Sequence, residues 1–426
     1  MDLVVAEPRK APGAEVKRLL MIAFHFPPFA ASSGIQRTLG FARHLPAFGW
    51  EPLVLTAHPR AYEHRHGGHV ALPARIVVEP AFALDAARQL SFMGRYPGFL
   101  ARPDRWISWW LGAVPKGLAM IRKYRPDAIW STYPIATAHK IACTLQRLSG
   151  LPWIADFRDP MAQEHYPSDP KTWRSFRTLE EAALRRAARG IFVTSGARRV
   201  YRDRYPDLEE SRLVVIENGY DEESFAGLEA EVKNAPLVAG AKTILHSGIV
   251  YPSERDPTHL FRALRSLLDD GRLKPGALCV RLRASGHEEV LKRLVDEHGV
   301  DQVVQLMPPI PYREALAEMM RADGLLVLQA SNCNEQIPVK LYEYLRCGRP
   351  IIGLTDPLGD TAALLRKAGM TSIASLDSCE AIARVLGKFT EELGDGTAAT
   401  PNMDYVKTPT RKRRTEALVG VLDELT

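Results

Sequence analysis

Short apolar runs alternating with amphipathic stretches, in two successive series, constrain this chain more than any other feature. Runs at 18–24 (R-L-L-M-I-A-F), 51–56, 127–132, 152–157, 190–194 and 213–217 have the length and near-continuous apolar character of strands buried on both faces. Helical patterns separate them, which implies parallel strands joined by crossover helices. A second series has strands near 242–247, 277–283, 323–329 and 349–354, with helices at about 257–270, 287–298, 312–322 and 338–347. The expected fold class is α/β, with two doubly wound units along 426 residues.

Residues 1–16 lack periodicity and read as a loose leader, with order beginning at Lys17. The weakly patterned stretch 226–239 suits a linker between the units, and the Gly-, Thr- and Pro-rich stretch 394–410 suits a second connector. A last amphipathic helix at 411–424 is expected to cross back onto the first unit; a loosely attached tail is the alternative. The formal net charge of +6 favours anionic partners, whether nucleotide diphosphates, acidic lipid headgroups or nucleic acid. Nucleic acid ranks lowest, because basic and acidic residues interleave and no helix-turn-helix, zinc-finger or aromatic RNA-binding signature occurs. Five scattered cysteines without C-x-x-C spacing read as reduced thiols. No run approaches the length of a membrane-spanning helix and no secretory signal opens the chain, so the expected location is the cytoplasm.

Ligands of open parallel sheets bind beyond the carboxyl ends of the strands, so chemistry is sought on the loops that follow them. After the run D-G-L-L-V-L-Q-A ending at Ala330, Glu335 and Glu343 bracket seven residues, and a helix is predicted to start at Pro338, a favourable first helical position. Its first turn would aim free amides and the positive dipole end at an anion, with Lys340 adding a full charge. That is a diphosphate site. Glu343 suits the two hydroxyls of a ribose, and Glu335 suits sugar hydroxyls beyond the phosphates. Small residues Ser32, Ser33 and Gly34 after the first strand would let the backbone approach a ligand, or simply make a tight turn.

This segment resembles glycosyltransferase family 4, the retaining GT-B-fold enzymes marked by E-x7-E in their C-terminal domain. Similar motifs follow in the right order: F-H-F-P-P-F-A-A-S-S-G-I-Q-R at 24–37, P-W-I-A-D-F-R-D-P at 152–160, typical of the polysaccharide-assembly branch, V-I-E-N-G-Y-D at 215–221, and H-S-G-I-V-Y-P-S-E-R-D-P at 246–257. The resemblance implies two Rossmann-like domains facing across a cleft. Residues 17–225 plus the returning 411–426 would bind the acceptor, and 240–393 would bind the nucleotide-sugar. It also implies a nucleotide-sugar co-substrate with no further cofactor and no metal ion; no D-x-D triplet occurs in the sequence. The family's Arg and Lys pair in the phosphate loop is absent as such: Ile249 follows Gly248, and only Arg255 stands near the Lys position, where it would pair bidentately with phosphate. The base would be read by backbone from Met307 and Pro308 to Ile310.

On the acceptor side, His139 resembles the histidine near the acceptor in this branch, with a structural role as the alternative. Asp156, Arg158 and Asp159 either orient acceptor and sugar or form a structural ion network. Trp106, Trp109 and Trp110, ahead of Lys116, Arg122, Lys123 and Arg125, suit a membrane interface or a lipid-linked acceptor, or else a core. The arginines between 185 and 204 form either a basic face or a solvated helix surface. The expected function is transfer of a sugar from a nucleotide-diphosphate sugar to a glycan or lipid-linked hydroxyl, with retention, in cell-surface polysaccharide or glycolipid assembly, with a peripheral contact at the cytoplasmic membrane face left open. A non-catalytic nucleotide-sugar-binding protein and a nucleotide-sugar epimerase of the same fold are the alternatives; a dehydrogenase is disfavoured because no G-x-G-x-x-G follows a strand.

Overall fold

The computed structural model describes residues 16–27, 35–62, 76–93, 95–164, 166–232 and 235–426. The chain divides into two compact units, Met1–Glu217 with Arg411–Thr426, and Asn218–Thr410. The leader and Ser32, Ser33 and Gly34 fall outside the described residues, apart from residue 16.

The first unit is built on seven parallel strands: β1 (Lys17–Ile22), β2 (Trp50–Ala57), β3 (Val77–Ala81), β4 (Ala128–Thr132), β5 (Trp153–Arg158), β6 (Arg189–Phe192) and β7 (Leu213–Val215). Their order is β3-β2-β1-β4-β5-β6-β7, so the winding reverses between β1 and β4. Helices cover both faces, as a sheet of continuous apolar strands requires. On one face Trp109, Ala113, Ile141 and Leu145 pack on Leu20, Ile129 and Trp153. On the other, the helix Ile35–His44 and the terminal helix Arg411–Asp423 pack on Met21, Val54 and Trp130. The terminal helix buries Thr415, Leu418, Val419 and Leu422, a spacing that lays one stripe against the sheet. It is part of this unit's core, and Arg411 Nη1 donates to Gln36 Oε1 at 2.9 Å.

A buried ion pair ties this unit together. Arg37 Nε donates to Asp156 Oδ2 at 2.8 Å and Nη2 to Oδ1 at 3.2 Å, while Nη2 and Nη1 also donate to the carbonyls of Ile216 and Glu217 at 2.9 and 3.1 Å. One guanidinium thus joins the first helix, β5 and the segment after β7.

The second unit has six parallel strands, β8 (Lys242–Ser247), β9 (Leu278–Arg283), β10 (Val304–Met307), β11 (Gly324–Leu328), β12 (Ile351–Leu354) and β13 (Ile373–Ala374), in the order β10-β9-β8-β11-β12-β13. Its winding reverses between β8 and β11. The strands absent from the sequence reading, β3, β10 and β13, all lie at sheet edges, where short length and residues such as Glu79, Pro80 and Gln305 blur an apolar run.

The two expected connectors are corrected. Residues after Asn218 belong to the second unit: Phe225 and Leu228 enter its core, Arg346 pairs with Glu222 and Glu229 at 2.5 and 2.9 Å, and Arg313 pairs with Glu231 at 2.8 Å. Residues 394–410 are likewise held, by Val406 in the core and by Asn402 N–H donating to Ala368 O at 2.9 Å. The unit's first and last residues run together: Tyr220 N–H donates to Pro409 O at 3.1 Å, and a Cβ on Gly219 would fall 2.2 Å from that oxygen.

Removing one partner of a buried pair strands the other charge. Arg37→Met is expected to lower the unfolding free energy by about 3–5 kcal/mol in urea denaturation, far beyond the effect of removing an exposed pair such as Arg272 with Asp270.

Candidate functional site

In the second unit Gly248, Arg255 and Lys340 gather at the reversal point, beyond the carboxyl ends of β8 and β11, whereas Met307 and Pro308 follow the edge strand β10. The helix carrying the E-x7-E segment spans Val339–Cys347, so Pro338 is its N-cap and not its first residue. No side chain caps this end, which leaves the first-turn amides to other partners. Lys340, in that first turn, places Nζ 3.0 Å from His246 Nε2. It lies so close to Gly248 that a Cβ there would be 2.8 Å from Nζ, and Gly248 also has φ of 116°, so glycine serves both the turn and the lysine. Burial, then the neighbouring charge of Arg255, hold the Lys340 pKa well below 10.5, against an opposing effect of Glu343.

Arg255 belongs to the loop after β8, with Nη1 donating to Ile249 O and the guanidinium over the Tyr251 ring. Glu343, one helical turn after Lys340, is buried, and its Oε1 accepts from Tyr312 Oη at 2.6 Å. Tyr312 carried no sequence signal, because it opens a separate helix, Tyr312–Arg321. Tyr344 Oη accepts Ser247 N–H at 2.8 Å and fixes the helix to the end of β8.

Glu335 is half-buried on the loop before the helix. That loop is braced from within: Gln329 Nε2 donates to the carbonyls of Cys333 and Gln336 at 2.8 and 3.0 Å, and Thr361 Oγ1 donates to Gln336 O at 3.1 Å. Met307 ends β10, and its carbonyl accepts from Ala284 N–H at 2.9 Å; the Pro308 carbonyl accepts from Arg283 Nη1 at 2.8 Å. Arg283 is clamped by Glu318, with contacts of 2.7 Å to each oxygen, so the loop after β10, expected to meet the base, rests on a buried ion network. Pro308 and Pro309 have no N–H, which leaves Met307 and Ile310 as the donors in that stretch.

In the first unit the outcome differs residue by residue. Arg158 ends β5 with φ of 59°, at a register shift against β6. A left-handed non-glycine residue is strained, and such strain gathers at functional positions. Its guanidinium lines a cavity of about 20 Å³ at the β1/β4 reversal point with Phe24, His25, Thr38, Thr132 and Tyr133, and burial lowers its pKa. Asp156 is not placed for an acceptor: it is fully buried and chelated by Arg37, whose signal lay at the end of the 24–37 motif. His139 is in the first turn of the helix Thr137–Ser149, but its ring points inward and is fully buried against Trp153 and Phe157. Nδ1 bonds to Ser131 Oγ at 2.8 Å, and that oxygen accepts from Trp153 Nε1 at 2.8 Å. Burial drives the His139 pKa down to about 3.

The three tryptophans do not form an exposed platform: Trp109 is in the core, and Trp106 and Trp110 are half-buried against it. Trp109 is fully buried, Trp106 Nε1 donates to Ala61 O, and Trp110 Nε1 donates to Thr144 Oγ1. Several arginines between 185 and 204 meet acids: Arg185 pairs with Glu181 and Asp207, Arg198 with Glu210, and Arg204 with Glu180. Among the described residues, no group of three or more His, Cys, Asp or Glu is placed to hold a metal ion, and no helix is long and apolar enough to cross a membrane.

Residues 33–219 match the family model of the glycosyl transferase 4-like domain. These residues form a glycosyl transferase 4-like domain. The fold of the chain is that of GT-B glycosyltransferases. A sucrose-phosphate synthase from Thermosynechococcus elongatus aligns with a TM-score of 0.64 at 16% identity, over 94% of each chain. Anabaena HepE in complex with UDP and glucose aligns at 0.63 and 14%, over 96% of this chain and 100% of that one. An α,α-trehalose 6-phosphate synthase from Burkholderia multivorans aligns at 0.67 and 11%, over 96% and 98%. No curated protein sequence matches significantly.

Because His139 stays neutral in the folded glycosyltransferase down to about pH 3 while the unfolded chain protonates it near 6.5, its contribution to stability is lost as pH falls through that window. Between pH 7.5 and 5.0 the wild type is expected to lose about 2 kcal/mol more unfolding free energy than His139→Leu.

Proposed function

We propose that this protein transfers a sugar from a nucleotide-diphosphate sugar to an acceptor hydroxyl on a glycan or lipid-linked molecule, with retention of configuration and without a metal ion. The observation that carries the reading is Lys340 Nζ, held beside Gly248 under the uncapped start of the helix Val339–Cys347, with Arg255 adding a second cation. Burial first, and then the neighbouring Arg255, make the charge on Lys340 costly, and a diphosphate would offset that cost.

As the bond to the sugar breaks, negative charge grows on the departing diphosphate. Lys340, Arg255 and the first-turn amides stabilise that charge where it develops. Glu343, steadied by Tyr312, accepts the ribose hydroxyls, and Glu335 accepts hydroxyls of the transferred sugar. Arg158 serves the acceptor side, while His139 and Asp156 act as supports within the first unit. The binding of UDP and glucose by Anabaena HepE is in keeping with such a donor. Assembly of a cell-surface polysaccharide or glycolipid in the cytoplasm is the accompanying proposal.

A thermal-shift screen over UDP-, GDP-, ADP- and TDP-sugars is expected to single out one base, since a donor at a hundredfold its Kd adds about 2.7 kcal/mol of stability. With that donor, Glu335→Ala is expected to lower turnover by about 10²-fold or more and leave nucleoside-diphosphate affinity within a few-fold. Unchanged turnover would refute the role of Glu335. Lys340→Ala is expected to weaken nucleoside-diphosphate binding by about ten- to a hundredfold in titration calorimetry, as loss of a charge-assisted contact does.

A further inference from the structure

The backbone ladder between β8 and β11 ends at Leu245 with Leu325, short of the strand ends at Ser247 and Leu328. One residue further on, the side chain of His246 bridges the gap. Its Nδ1 lies 2.9 Å from the Leu326 carbonyl oxygen. A carbonyl oxygen only accepts, so Nδ1 carries the proton and the neutral ring presents a lone pair at Nε2. That lone pair meets Lys340 Nζ at 3.0 Å. We infer that His246 is a positioning residue for the donor's leaving phosphate: bridged to β11 through one nitrogen, it fixes the Lys340 ammonium beside Gly248 through the other.

This inference rests on the donor-site reading and goes beyond it. The ammonium has three N–H bonds, and His246 takes one, which leaves two for phosphate oxygens. Gly248 closes the space on another side, since any Cβ there would meet Nζ at 2.8 Å. The charged groups facing Lys340 are Arg255 from the loop after β8 and Glu343 from its own helix, and Tyr344 of that helix is bound to Ser247 N–H. Burial, followed by the charge of Lys340, keeps the His246 ring well below its usual pKa, so it remains an acceptor across the physiological range. A lysine left to itself in this place would spread over its rotamers and lose that aim.

Two substitutions separate the two nitrogens. His246→Asn keeps a short amide donor for Leu326 and removes the acceptor facing Lys340; His246→Gln carries an acceptor to the Nε2 position. UDP, GDP, ADP and TDP are titrated into the intact protein, the tightest is carried forward, and melting temperatures confirm that each variant is folded. His246→Asn is expected to weaken that nucleotide by about tenfold and His246→Gln by less than about threefold. In a Lys340→Ala background, His246→Asn is expected to cost less than about twofold, because a residue acting through Lys340 has nothing left to act on. An equal loss in both backgrounds, or no loss in the wild-type background, overturns the inference while the donor site stands. Failure of the wild type to bind any of the four overturns both.

Discussion

Two neighbouring parallel strands whose connections leave in opposite directions open a crevice beyond their carboxyl ends, and that geometric necessity organises each unit of this protein. It occurs once in each sheet, between β1 and β4 and between β8 and β11. Between β8 and β11 the ladder also stops short of the strand ends, which leaves backbone groups for side chains or a ligand to satisfy. In the first unit the space is small and lined by Arg158, Phe24 and Tyr133. In the second, His246 fills the gap and Lys340 stands over it.

Charge is handled differently at the two places. In the first unit the buried carboxylate of Asp156 is neutralised by Arg37, which leaves Arg158 as the strained residue at the strand end. A pair of that kind holds its geometry because each partner would be costly without the other. In the second unit Lys340 and Arg255 face one another's charge, with Glu343 opposing in part and turned toward Tyr312. The second unit also buries an acid, Glu318, against Arg281 and Arg283, but Lys340 and Arg255 stand apart from that network.

The central strands were legible because a strand buried on both faces must be apolar throughout, and runs such as L-L-M-I and G-L-L-V-L can be little else. Edge strands relax that requirement, which is why β3 and β13 escaped notice. In the candidate site, Lys340, Glu343 and Gly248 were legible because they lie within one helix turn or one post-strand loop, where spacing alone fixes their neighbourhood. His139 and Asp156 were not. Periodicity does not say that an imidazole in a first turn points at Trp153, nor that an arginine 119 residues away in sequence will claim a carboxylate. The 226–239 stretch misled for a related reason: Phe225 and Leu228 are too few to make a pattern, yet with Arg346 and its two glutamates they suffice to fasten the segment.

The terminal helix Arg411–Asp423 lies in the core of the first unit, although nearly two hundred residues of the second unit separate it from Glu217. During synthesis, therefore, the apolar face formed by Met21, Val54 and Trp130 emerges long before the helix that covers it. At ordinary elongation rates the wait is roughly 10–40 s, ample for the continuous second unit to reach its native state first. The unit begun earlier is thus completed later, and in the interval the helix Ile35–His44 covers that face without its partner helix.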